Sequence, residues 1–236
     1  MKNYRVTFKS IGNFDSVPTI LVTYLILPII SLIMLLLIAF SGNQDYTRIL
    51  LGSLMDTGIA TIIGIIVGSF VMDQNLGVSD EVISIRPKFR NYWLPKILIS
   101  FGVMIVEVIL LMLIGLGFLH QFNLLPKVLI SLVFFGPIAI ILGYISAIAG
   151  RGKENPYWLS NFLIGAIIIL SGVIIPVAQY PLWLRIIADL FPMSNILNWI
   201  QLGSYINQEL LIVVVKLLAW YLAAIAFNKI QENRLR

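Results

Sequence analysis

Apolar residues run almost without interruption through six stretches of this 236-residue chain, and the polar residues between them fall in short clusters. Val17–Phe40, Ile49–Met72, Ile97–Leu119, Val128–Ala149, Leu159–Val177 and Leu210–Phe227 are each 18 to 24 residues long. That is the length a helix needs to cross a ~30 Å hydrocarbon core, so the pattern predicts six spans. The first follows a polar lead without an A-x-A-like cleavage site and is too long for a signal-peptide core, so it is expected to be retained. Pro28 and Pro137, inside the first and fourth spans, predict kinks. Ahead of the spans, Tyr4, Phe8 and Ile11 recur at helical spacing with Lys2, Arg5 and Lys9 between them. Met1–Asp15 therefore reads as a short amphipathic helix on the membrane surface, or equally as a frayed tail.

Two regions break the pattern. Val71–Lys96, VMDQNLGVSDEVISIRPKFRNYWLPK, is the longest run without spanning character between two clear spans. Ser79 is a good N-cap with Asp80 and Glu81 in the first turn, and Pro87 makes Arg86 a poor place to continue a helix. The spacing predicts a short helix over Asp80–Ile85, which reads either as part of a solvated loop or as a docking element for a soluble partner. The second region, Pro176–Gln201, is apolar but interrupted by Pro181, Arg185, Asp189 and Pro192. Leu182–Leu190 makes only about 14 Å of helix, less than half of the core, which predicts a re-entrant or interfacial hairpin. Trp183 and Trp199 suit the interface zone.

Composition agrees with the pattern. The chain is 59% hydrophobic and 11% charged, with a mean hydropathy of +0.97, far from a water-soluble domain. Residues 1–236 are expected to form one membrane domain. The formal charge of +5 fits Lys and Arg beside anionic lipid, and nucleic-acid binding is not expected. Of sixteen Lys and Arg, twelve fall on the side holding both termini, three on the other (Arg48, Lys127 and Arg185), and Lys216 lies within the sixth span. This asymmetry predicts cytoplasmic termini and places Pro176–Gln201 outside.

Most enzyme chemistry fails for lack of parts, since the chain has one histidine and no cysteine. Ser171-Gly172 in an apolar segment reads as a packing contact rather than as a protease nucleophile served by His120. Gly150-Arg151-Gly152-Lys153 lacks the spacing of a phosphate loop, so any ATP is expected on another polypeptide. In the second span Gly52, Asp56, Ala60, Gly64 and Gly68 recur every four residues, a small-residue stripe suited to close helix packing. Packing does not account for Asp56, because a carboxylate at membrane depth is costly and faces protein or a water-filled path. Glu107 in the third span raises the same question, and Lys216 is the one intramembrane cation. Counting residues from the ends of the predicted spans puts Asp56 and Lys216 at matched depth and Glu107 nearer the midplane, which favours an Asp56–Lys216 pair. A structural pair and a site on a translocation path both fit.

The order of parts resembles the membrane (permease) subunit of a type 2 ATP-binding-cassette exporter. The segment after the second span is similar to that family's acidic-x-Gly-x-acidic element leading through Pro to a basic residue at the third span, here Asp73, Gly77, Glu81, Pro87 and Lys96. SGVIIPVAQYPLWLRIIADLFPMSN resembles its second motif at Ser171, Gly172, Pro176, Pro181, Trp183, Leu184 and Pro192. Asp73 stands where many members have Glu, and the loop between the first two spans is very short. The resemblance implies an all-α membrane protein of six transmembrane helices, with an N-terminal interfacial helix, a cytoplasmic coupling helix and an external re-entrant hairpin. It implies two soluble ABC ATPase subunits carrying ATP and Mg, docked at Asp80, Glu81, Arg86 and Lys88, and a second permease copy or homologue in the plasma membrane. No cofactor is expected on this chain. The cargo class implied is amphipathic: a peptide, a lipid-linked molecule or a drug. An ion-coupled secondary transporter using Asp56, Glu107 and Lys216 is the alternative from a different class, and a non-transport scaffold is a third.

Overall fold

The computed structural model describes residues 14, 16–77 and 89–235. Among them every regular element is a helix: α1 (Val17–Gly42), α2 (Tyr46–Asn75), α3 (Phe89–Phe118), α4 (Leu125–Gly150), α5 (Trp158–Leu170), α6 (Leu182–Asp189), α7 (Met193–Gln201) and α8 (Gln208–Leu235). Five of them, α1 to α4 and α8, are long and apolar enough to cross a membrane. The surface helix expected over Met1–Asp15 and the Asp80–Ile85 helix, with Asp80, Glu81, Arg86 and Lys88, lie outside the described residues.

α2 is the pillar of the fold. Asp45 caps it by accepting from the Thr47 amide at 2.9 Å. Leu50, Ile59, Ile63 and Ile66 on different faces are all fully buried, because α2 packs against α1, α3, α4, α5 and α7 at once. Its most apolar window is 72% buried against 6% in α8, so α8 forms the exposed apolar edge and α2 the centre. In α1 the helical ladder changes ahead of Pro28: Val22–Ile26 is π-helical, and the Leu27 amide donates to the Val22 carbonyl five residues back. The wider turn accommodates a proline that has no amide to offer and whose ring crowds the preceding turn.

Several boundaries differ from those the sequence predicts, each for a packing reason. The long polar loop shrinks, because α2 continues to Asn75 and α3 begins at Phe89. Aromatic side chains support these extensions: Trp93 stacks on Phe70 with centroids 5.4 Å apart and meets Tyr144 of α4 edge-on at 4.9 Å. Pro95 sits inside α3, where one ladder bond is forgone. The predicted fifth span ends early at Leu170, giving thirteen residues and about 20 Å of helix, too short to cross alone. Gly172 ends it with φ +66, a left-handed conformation that a side chain would strain. At the other end of the chain α8 runs through the expected tail to Leu235, and Tyr144 donates a 2.5 Å hydrogen bond to Asn228. Trp199 is a core residue rather than an interfacial one: it is 2% exposed, and its Nε1–H donates to the Tyr205 carbonyl at 2.8 Å. Trp183 is 65% exposed.

The small-residue stripe of α2 serves two purposes. At Gly52 a Cβ would come within 2.6 Å of the Val173 side chain, so this end is a close packing contact. At Gly64 and Gly68 nothing lies within 4 Å, so this end faces open space. Gly52→Leu is therefore expected to cost roughly 1–3 kcal/mol through overpacking, while Gly68→Ala leaves stability equal or higher. Denaturant unfolding of the two variants in detergent micelles checks the contrast.

Candidate functional site: a polar cavity at membrane depth

A cavity of about 350 Å³ opens between α1, α2 and α3, with Ile164 of α5 at its edge. The helical period builds its wall. Asp56, Ala60 and Gly64 follow one another at four-residue spacing, and Thr57 and Thr61 flank them one residue on. α1 contributes Thr23, Tyr24, Leu27, Pro28 and Ser31, so the π-helical segment and its proline form the opposite side. α3 contributes Glu107, which is 2% exposed.

Two carboxylates thus share one compartment. Glu107 Oε2 accepts from the Thr61 hydroxyl at 2.5 Å, a short contact. Glu107 Oε1 and Asp56 Oδ1 are buried and meet no donor among the described residues. Buried polar atoms are ordinarily satisfied, and an unpaired carboxylate oxygen in a low-dielectric setting is costly. No Lys, Arg or His lines the cavity.

The structure brings together a different pair from the one that depth predicted. With α2 starting at Tyr46 and α3 ending at Phe118, Asp56 lies ten residues and Glu107 eleven residues from those ends. At 1.5 Å per residue both sit about 15 Å in. Lys216 is engaged elsewhere within the chain: its ammonium donates to Asn195 Oδ1 at 2.7 Å and to the Phe191 carbonyl at 3.2 Å. The Asp56–Lys216 pair does not form within one chain, because α8 packs on α4 and α7 rather than on the Asp56 face of α2.

A second charged arrangement ties α2 to α3 at the end bearing residues 76–88. Lys96 and Asp73 form an ion pair at 2.7 Å, with side chains only 3% and 15% exposed. Lys96 also donates to the Ser69 carbonyl at 3.1 Å, and Tyr92 donates to the same Asp73 oxygen at 2.8 Å. Every group in this cluster therefore has a partner.

At the opposite end, cations on the long helices grip the 171–205 segment. Arg48 of α2 donates to the Gly172 carbonyl at 3.0 Å, to Asn198 Oδ1 at 3.0 Å and to Gln201 Oε1 at 3.1 Å. Lys127 of α4, 5% exposed, donates to the Trp199 carbonyl in the last turn of α7 and to the carbonyls of Leu202 and Ser204 beyond its end. It also lies over the rings of Trp199 and Tyr205. The Tyr180 hydroxyl donates to the Ile169 carbonyl at 2.7 Å, fixing the turn after α5. Burial raises the pKa of that hydroxyl, and nearby Arg48 partly offsets the rise.

A sequence model of the family described as ABC-2 type transporter matches residues 6–205. The chain belongs to that family. Comparison with curated proteins and with solved structures gives no match. As an ABC-2 type transporter chain it is the membrane-spanning permease component, a type that typically lacks its own ATPase, and family membership implies ABC ATPase subunits as partners.

Seen as parts of an ABC-2 permease, the residues separate into those the sequence exposed and those it hid. Asp56 and Glu107 stood out because charge inside an apolar run is rare. Arg48 and Lys127 read as topology charges at span ends, yet both are committed to specific oxygens. The available signal was the carbonyl-rich, proline-broken segment that follows α5, whose irregular backbone needs donors from other elements. Thr61 and Tyr92 carried no signal of their own in the sequence.

Proposed function

We propose that this chain is one half of the membrane path of an ATP-driven exporter, moving an amphipathic substrate out of the cytoplasm while separate ATPases bind ATP and Mg. The family match over residues 6–205 carries this reading, and the polar cavity beside α2 supports it by offering a compartment at the depth a passing substrate must cross. Two ATPase subunits dock around the Asp80–Ile85 segment through Asp80, Glu81, Arg86 and Lys88, and a second permease copy or homologue completes the path. The Asp73–Lys96 pair links the helices on either side of that segment, so a push on it reaches α2 and α3 together. Residues 1–236 act as one permease domain in the plasma membrane with both termini in the cytoplasm. The membrane is crossed six times when α5 is counted with the irregular residues 171–177, and α6 and α7 form an external hairpin.

The test is purification from the native membrane. An ATPase of about 200 to 300 residues, one or two domains in size, is expected to co-purify, and ATP hydrolysis in nanodiscs is expected only when it is present. Hydrolysis by the isolated chain, or transport that follows a proton gradient with no ATPase bound, would overturn the reading in favour of an enzyme or an ion-coupled carrier.

A further inference from the structure

We propose that the cavity between α1, α2 and α3 receives the cationic group of the cargo, so that the substrates are amphipaths carrying an ammonium or guanidinium. This deepens the exporter reading and rests on it only for the word cargo. The carrying observation is Glu107: it lines the cavity, it is 2% exposed, one oxygen is occupied by Thr61, and the other is buried with no donor. Asp56 adds a second free oxygen on the neighbouring helix, at the same depth.

The rest of the wall selects the same chemistry. Thr23, Ser31, Thr57 and Tyr24 supply hydroxyl oxygens that can accept from an ammonium's further N–H groups. Leu27, Pro28, Ile65 and Ile164 line the remainder and suit an aliphatic stem. With two carboxyl groups and no Lys, Arg or His in the lining, a phosphate or carboxylate headgroup meets no cation there. The volume, about 350 Å³, is at the small end of ligand pockets, so it fits a headgroup and a few methylenes rather than a whole peptide. Gly64 leaves the side of the cavity open, since no atom lies within 4 Å of where its Cβ would be.

The experiment uses the full chain in phosphatidylcholine nanodiscs and three fluorescent dansyl-alkyl probes with one tail and different heads: primary ammonium, hydroxyl and sulfonate. The ammonium probe is expected to bind on the order of tenfold tighter than the hydroxyl probe, and the sulfonate probe weakest. The isosteric double change Asp56→Asn with Glu107→Gln should abolish the difference between ammonium and hydroxyl. Gly64→Leu, which keeps both carboxylates and places its side chain in open space, should weaken all three probes. Excess lithium, sodium or potassium chloride at matched ionic strength should each displace the ammonium probe by the same factor, through screening alone. Equal binding of the three heads, or an ammonium preference that survives the double change, overturns the proposal. So does selective displacement by one inorganic cation, which would make this an ion site. ATP-driven transport, measured separately with the co-purified ATPase, distinguishes the two readings. Charge-selective binding without transport defeats the exporter reading alone, and transport of the sulfonate probe by the unaltered chain as fast as the ammonium probe defeats the cavity proposal alone.

Discussion

Lys96→Met is expected to destabilise the folded protein by roughly 3–5 kcal/mol, the cost of leaving one partner of a buried ion pair alone. The substitution keeps an aliphatic side chain of similar length but removes the ammonium that lies over the Tyr92 ring, 4.9 Å from its centroid. What it removes is the charge opposite Asp73 and the donor to the Ser69 carbonyl. Asp73 would keep only the Tyr92 hydroxyl. Adding Asp73→Asn should recover much of the loss, because an amide beside Tyr92 is not a stranded charge. Unfolding free energies in bicelles, measured for the two single variants and the double, form the cycle that checks this. Strictly additive losses would show that the 2.7 Å contact contributes no coupling. Transport measured on the same variants addresses the proposed mechanical role: recovered stability without recovered transport would mean that the pair transmits force as well as holding α2 to α3.

Lys127→Met is expected to cost on the order of 3 kcal/mol, the scale of hydrogen bonds to a charged group. The ammonium satisfies the carbonyls of Trp199, Leu202 and Ser204, where α7 ends and the chain turns toward α8. Those oxygens lose a charged donor at the point where the buried end of α7 gives way to the exposed residues 202–206. Trp199, held between Phe134 and Lys127, should become mobile, and its fluorescence is a direct reporter of the change. Lys127→Arg is expected to retain part of the stability, since charge and donors persist in a different shape. An unchanged unfolding midpoint in Lys127→Met would mean that the grip on the 171–205 segment rests on Arg48 and packing alone.

Why the sequence read these two lysines differently from the structure is instructive about what a sequence can hold. Apolar character begins after Lys96, so the sequence puts it at the mouth of a helix. In the fold, aromatic packing by Trp93 and the pair with Asp73 carry the helix back to Phe89. By sequence Lys127 is a charge outside a span, since charge counting sees side but not depth. Its burial depends on where the α7 carbonyls arrive, and no local pattern encodes that.

The sequence by itself determined the class, five of its six predicted spans with their approximate limits, the break after the fifth apolar stretch, and the anomaly of Asp56 and Glu107. These follow from transfer free energies and backbone constraints, which each residue carries whatever its neighbours are. Only the tertiary structure decided who meets whom. Asp56 shares its cavity with Glu107 because α2 is rotated to present its stripe to α1 and α3. Lys216 goes to Asn195 because α8 packs beside α7. The stripe itself divides at the same point, Gly52 closing on Val173 while Gly64 stays open. Partner choice of this kind is set by helix rotation and order in the bundle, quantities fixed by the sum of many weak contacts and not by any one stretch of sequence.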